Sequence, residues 1–162
     1  MSKVNQHRIS VSPAEPNDLK HIFLWRNDPV SCEQSLGKKP ISWKEHKLWF
    51  ERVLNSEEHC LLTCFSEILQ TNIGVVRFDI VESHAVVSIN LAPDLRGQGL
   101  GRPCLSAAIN RFGELFEEIC SLTATVRSSN EASLRLFRQI GFEEIKETRG
   151  LVSFCLRLNR VV

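Results

Sequence analysis

The run Arg96-Gly97-Gln98-Gly99-Leu100-Gly101-Arg102 constrains the fold more than any other feature of the chain. It follows an alternating apolar segment, Val86 to Leu91, and precedes a segment with helical spacing. A strand that breaks into glycines and re-enters as a helix leaves several backbone N–H groups without partners in one place. Those groups, with the positive end of the helix dipole behind them, suit phosphate or pyrophosphate. Arg96 and Arg102 add charge there. Glycine is also the ordinary residue for any tight join, so the run alone does not name a ligand. A mononucleotide loop needs Lys and then Ser or Thr after its last glycine, whereas Gly101 is followed by Arg102 and Pro103. A dinucleotide fingerprint opens a βαβ unit near the start of a domain, and this run lies past the middle of 162 residues. Glu117 and Glu118, at the matching distance for a ribose contact, end a helical pattern and not a strand.

The chain 1–162 reads as one domain, large enough for a sizeable core. Its net charge of +1 gives no general pull toward nucleic acid. No apolar stretch is long enough to span a membrane. Met1 to Arg8 lacks the apolar core of a secretion signal, so a cytoplasmic location is the default expectation. The six cysteines, Cys32, Cys60, Cys64, Cys104, Cys120 and Cys155, show no Cys-x-x-Cys spacing and read mainly as buried thiols. The scattered histidines give no metal-ligand pattern, so no metal is expected.

Seven strands and four helices are legible. Ile9 and Val11 alternate as a first strand, ended near Pro13. Asn17 or Asp18 caps a helix carrying Leu19, Ile22 and Phe23, which stops near Asp28-Pro29. The polar segment Val30 to Ile41 reads as a loop. Ser42-Trp43-Lys44-Glu45 is a capping box, with Trp43, His46, Trp49, Phe50 and Val53 as the apolar face behind it. Cys60 to Phe65, Ile73 to Ile80 and Ala85 to Leu91 form three strands whose short links favour antiparallel pairing. The helix after the glycines buries Cys104, Leu105, Ala108, Phe112 and Phe116. Leu122, Ala124 and Val126 alternate in the next strand. Ser129 or Asn130 caps a last helix carrying Ser133, Leu136, Phe137 and Ile140, with Gly141 as its C-cap. Phe142 to Ile145 and Val152 to Leu158 complete a mixed sheet with helices on both faces.

Two motifs in this order resemble the GCN5-related N-acetyltransferase (GNAT) superfamily: Ala92-Pro93-Asp94-Leu95-Arg96-Gly97-Gln98-Gly99-Leu100-Gly101, and Asn130 to Phe142. The resemblance spans essentially the whole chain. It implies the acyl-CoA N-acyltransferase fold, an α/β (α+β) architecture with a mostly antiparallel sheet of about seven strands flanked by about four helices. It implies acetyl-coenzyme A as cofactor, with Arg96, Gly97, Gln98, Gly99, Leu100, Gly101 and Arg102 around its pyrophosphate. Backbone groups around Asn90, Leu91 and Ala92 are implied to pair with its pantetheine arm where two strands splay. Asn130, Ser133 and Phe137 of the second motif join the cofactor side. Trp25-Arg26-Asn27-Asp28-Pro29 and Ile41 to Phe50 resemble a narrower subgroup that acetylates nucleotide-linked amino sugars, as in the pseudaminic acid pathway. That places Trp25, Arg26, Asn27 and His46 beside a small-molecule amine. For Arg26, Asn27 and His46 a surface or capping role is an equal reading. No nucleic-acid or membrane partner is expected, and a homodimer is left open.

Two departures from the family concern chemistry. Many members place a tyrosine where this chain has Phe137, and this chain has no tyrosine at all. Many also carry a glutamate near the position of Val86 or Ser88. Base work then falls to water held by Ser88 and Asn90, with Asn130 in the same catalytic set and His84 as a second choice. Direct attack by an uncharged amine is the expected mechanism. The alternatives are a ribosomal-protein, peptide or polyamine acetyltransferase, and a non-catalytic acetyl-coenzyme A sensor or partner module.

Overall fold

Short turns set three of the six strand pairings, and the crossover through residues 92–120 sets the one parallel pair. The computed structural model describes residues 8–158; the signal-free reading of the first residues falls on 1–7, outside that range. The elements run β1 (Ile9–Pro13), α1 (Leu19–Arg26), α2 (Pro29–Gln34), α3 (Trp43–Leu54), β2 (His59–Ser66), β3 (Thr71–Val81), β4 (His84–Leu91), α4 (Gly101–Leu115), β5 (Ser121–Arg127), α5 (Glu131–Ile140), β6 (Glu143–Thr148) and β7 (Leu151–Arg157). They form one seven-stranded sheet in the order β1-β2-β3-β4-β5-β7-β6. Every neighbouring pair is antiparallel except β4 and β5, which are joined through α4 and run parallel. This is the mixed α/β architecture of the GNAT acyltransferase fold.

Alternation along the strands divides the apolar residues between two faces. Cys60, Leu62, Cys64, Val76, Phe78, Ala85, Val87, Leu122, Ala124 and Val126 face α4 and α5 in the larger core. There Phe112 of α4 stacks on Phe78 with ring centroids 4.0 Å apart and planes 7° from parallel. Leu61 and Val75 face the other way and pack with Ile22, Trp25, Phe50 and Val53 of α1 and α3. Pro103 sits in the first turn of α4, where its missing N–H has no helical partner to lose. Gly141 ends α5 at φ 108°, a conformation that side chains resist.

The structure adds a helix where the sequence reads as loop. Residues Pro29–Gln34 form α2. Asp28 caps it by accepting the Ser31 N–H at 3.1 Å, and Pro29 opens it. The same Asp-Pro dipeptide therefore stops α1 and starts α2. Five α-helices result among the described residues, against about four expected. Trp43 also departs from its place on an apolar face: it is 45% exposed, with its ring edge against Phe23.

His46 is fully buried, ringed by Phe23, Trp49 and Phe50. Its Nε2 lies 2.9 Å from the Leu19 carbonyl, which makes Nε2 the donor and ties α3 to α1. Nδ1 is buried without a partner among the described residues. Burial pushes the His46 pKa down, opposed by the Leu19 bond. The unfolded chain then binds more protons at this site below about pH 6.5 than the folded one, so stability falls on acidification. Lowering the pH from 7 to 5 is expected to reduce Tm more in wild type than in His46→Phe, as read by thermal denaturation; equal losses would contradict this placement.

Candidate active site

β4 and β5 stay together only briefly. His84, Ala85 and Val86 pair with Ser121, Leu122 and Thr123, and the ladder then ends. Beyond that point the parallel strands diverge into a V. The other edge of β4 remains bound to β3 through Leu91, and the Ala92 N–H continues that pairing to the Ile73 carbonyl at 2.9 Å. Because antiparallel bonding alternates, Ile89 and Leu91 turn their backbone groups into the V. The edge expected around Asn90 to Ala92 is thus supplied by Ile89 and Leu91, and the Ala92 N–H is committed to β3.

The glycine run lies at the mouth of this V. Gly97 and Gly99 have φ of +72° and +76°, and a side chain added at either would meet nothing within 4 Å. Among the described residues, no partner receives the backbone N–H groups of Gly97 to Arg102. These donors, the start of α4 and the open space above the glycines fit a pyrophosphate. Leu100 is buried beneath the loop, and the Gln98 amide donates to the Asp94 carbonyl at 3.0 Å. Gly101 allows α4 to approach α5 closely, since a Cβ there would sit 3.2 Å from Leu136.

Arg96 does something the sequence does not announce. Its guanidinium pairs with Asp28 at 2.6 Å and donates to the Ser31 hydroxyl at 2.7 Å and the Leu91 carbonyl at 3.2 Å. The Arg96 bond holds the Asp28 carboxyl below the usual carboxylate range. Ser31 in turn donates to Asn90 Oδ1 at 3.1 Å. At the other arm of the V, Arg127 of β5 donates to the Ser35 carbonyl at 3.0 and 2.9 Å, and to that of Leu36 at 2.9 Å. Both carbonyls lie just past the end of α2, and that of Ser35 also accepts the Lys38 N–H at 3.3 Å. So α2 is strapped from the end of β4 to the end of β5. Arg102 is exposed and, among the described residues, has no ion-pair or hydrogen-bond partner, so it is the cation of the loop left free for an anion.

The other expected site residues divide sharply. Asn27 brackets Ile41 with two bonds, of 2.7 and 2.8 Å, and fixes the connection from α2 to α3. Arg26 donates to the Lys39 carbonyl at 3.4 Å and to Cys32. Trp25 is buried against His21 and lines a cavity of about 460 Å³ with Thr71, Asn72 and Asp94. Asn130 caps α5 by accepting the Ser133 N–H at 3.1 Å. Phe137 is buried in the larger core, edge-on to Phe142 at 5.0 Å and stacked on Phe154 at 5.8 Å. Asp28, Ser31 and Arg127 are missed by sequence reasoning. The Asp-Pro signature is the available signal for the first two, and nothing local marks Arg127.

On the α3 side of the sheet, Ser88 and Thr125 are exposed, and Thr123 and Ser153 are half-buried. Thr125 pairs with Ser153, and Arg77 with Ser88. The V is therefore floored by hydroxyls. Asp79 on this face is bound by Arg77 at 2.9 Å. Burial pushes the Cys60 thiol up to about 11, and Cys64 is raised further by its bond with Cys104. Neither is a ready nucleophile.

Residues 8–143 match the model of the acetyltransferase (GNAT) domain family. The L-amino acid N-acyltransferase MnaT of Escherichia coli K12 is 30% identical over 121 residues, 74% of this chain and 63% of that protein. The chain spans 29%, 83% and 63% of the lengths of three curated relatives that it matches. Among solved structures, the spermidine N-acetyltransferase of Vibrio cholerae, in complex with CoA and spermine, superposes with a TM-score of 0.80 at 16% identity, covering 92% of this chain and 95% of that one. The N-acetyltransferase PseH of Campylobacter jejuni, in complex with acetyl coenzyme A, gives 0.73 at 20%, covering 94% and 100%. At these identities the two likenesses concern the fold. With the glycine loop, the open strand edge and the family match in agreement, the chain belongs to the GNAT acetyltransferase family, and acetyl-coenzyme A is the cofactor its loop and strand edge fit.

Proposed function

We propose that this chain transfers an acetyl group from acetyl-coenzyme A to the primary amine of a nucleotide-linked amino sugar, by direct attack. The observation that carries the acceptor is the hydroxyl floor of Ser88, Thr123, Thr125 and Ser153 beside arginine-bound carboxylates. Sugar hydroxyls match such a floor through exchanged hydrogen bonds. A polyamine needs carboxylates without partners, and both Asp28 and Asp79 are held by arginines. Spermidine acetylation, the activity named for the Vibrio cholerae neighbour, is the competing acceptor reading.

The backbone N–H groups of Gly97 to Arg102, with the Arg102 guanidinium, hold the pyrophosphate. The edges of Ile89 and Leu91 hold the pantetheine amides as an added strand would. When bound, the cofactor supplies an activated acetyl thioester. The chain's residues orient the amine and exclude competing geometries: α2, fixed by Arg96 and Arg127, walls one side, and Ser88 offers a hydroxyl to water or acceptor. Asn90 is a poorer water holder than its position suggests, because Oδ1 already accepts from Ser31.

Release of free thiol from acetyl-coenzyme A, measured against nucleotide-linked amino sugars, amino acids, spermidine and basic peptides, tests the acceptor. The sugar is expected to show the highest kcat/KM by at least about tenfold, the ratio that roughly 1.4 kcal/mol of acceptor recognition gives. Rapid turnover of spermidine or peptide without sugar turnover would refute it. Phe137→Tyr adds a hydroxyl among Phe142 and Phe154 without a nearby partner. It is expected to destabilise the protein by about 1–3 kcal/mol and to leave kcat within about twofold. A large gain in rate would instead show an acid the natural site lacks and favour the sensor reading.

A further inference from the structure

Helix α2 has no apolar anchor. None of its six residues is buried, and a helix that short is not stable by itself. Its place is set by polar contacts, from Arg127 at its end and from Arg96 at its start. Gln34 Oε1, on its last residue, is buried with no donor among the described residues. A buried acceptor without a donor is costly, so the resting position of α2 is not its best-satisfied one. Such an element responds to small changes at its contacts.

The Arg96 guanidinium reaches from this helix to the open edge of β4. Nη1 holds Asp28 at 2.6 Å. Nη2 donates to Ser31 Oγ at 2.7 Å and lies 3.2 Å from the Leu91 carbonyl and 3.4 Å from Asn90 Oδ1. Two N–H groups on Nη2 thus face three acceptors. Ser31 Oγ closes the circuit by donating to Asn90 Oδ1 at 3.1 Å. The junction is the Leu91 carbonyl, which faces the V where the ladder with β5 has ended. An amide arm laid along this edge needs that oxygen as an acceptor. A carbonyl oxygen has two lone pairs, so it can take a second donor and keep Arg96. Each donor then fixes the oxygen for the other, and Arg96 is fixed in turn against Asp28 and Ser31.

We propose that Arg96 is a positioning residue that couples the two sides of the site: through it, occupation of the β4 edge fixes α2 and so completes the acceptor wall. This rests on acetyl-coenzyme A binding in the V. The coupling is positive and reciprocal, so an acceptor that holds α2 also tightens the cofactor.

Amide hydrogen exchange of α2 at saturating ligand tests this without any acceptor. The reporters are the Cys32 and Ser35 N–H groups, bonded to the Asp28 and Ser31 carbonyls at 2.9 Å. Coenzyme A and pantetheine are each expected to slow both by about fivefold or more. Adenosine diphosphate carries a pyrophosphate without the amide arm, and is expected to leave them unchanged. Arg96→Lys keeps the charge and loses the fork, while Asp28→Asn keeps a helix cap and loses the ion pair. The ratio of exchange rates without and with pantetheine is expected to drop in both variants, to below about twofold in Arg96→Lys. A helix that is only looser would exchange faster in both states and keep the ratio. Coenzyme A bound with α2 exchange unchanged overturns the coupling. So does equal slowing by adenosine diphosphate, or a ratio that either variant leaves intact. No binding of coenzyme A to the folded protein overturns the cofactor reading, and the coupling with it.

Discussion

The parting of β4 from β5 is the constraint on which the rest of the molecule depends. Parallel pairing stops after Val86 and Thr123, and each strand continues with a different neighbour. β4 stays paired with β3, and β5 stays paired with β7 through Arg127. The unpaired edge of β4 would be a cost in a closed sheet, because buried backbone groups need partners. Here it faces a cleft. The crossover through α4 makes the same cleft a phosphate site, since the helix must begin where β4 ends.

A cleft of this kind needs its arms held at a fixed angle, and the polar contacts of α2 do that. Arg96 binds Asp28 and Ser31 from the β4 side, and Arg127 binds the carbonyls of Ser35 and Leu36 from the β5 side. Below them, the Phe78 and Phe112 stack fixes α4 to the sheet. Removing a buried phenylalanine of that kind costs about 3–5 kcal/mol. The apolar core thus sets where the loop lies, and the arginine contacts set the width of its mouth. Acceptor recognition and cofactor binding share this frame, because Arg96 also holds the Leu91 carbonyl on the edge itself.

Strands and long helices are legible in the sequence because alternation and helical spacing report burial directly. The period of two is unambiguous in Leu122, Ala124 and Val126, and all three are buried. Capping chemistry is equally plain at Ser42 and Glu45, whose reciprocal bonds measure 2.8 and 3.2 Å. What fails to show is tertiary. Residues Pro29–Gln34 are too short and polar for a periodic signal, and their helix depends on Asp28 and on arginines distant in sequence. Arg96 looks like a ligand for phosphate because its neighbours are glycines, yet its donors turn back to α2. His46 reads from its spacing as part of the apolar face of α3 and from its resemblance as an acceptor residue; its burial agrees with the spacing, while the bond that joins α3 to α1 through Leu19 has no local signal.

Calorimetric titration with coenzyme A and with pantetheine, on wild type, Arg102→Ala and Arg96→Ala, tests the central account most directly. Pantetheine lacks the pyrophosphate. Arg102→Ala is therefore expected to weaken coenzyme A by about tenfold or more and leave pantetheine unchanged, the scale of one charge-assisted bond. Arg96→Ala, which loosens α2 and the β4 edge, is expected to weaken both ligands alike. Equal losses for both ligands in Arg102→Ala, or no binding of coenzyme A by folded wild type, would contradict the assignment of the loop and the V to this cofactor.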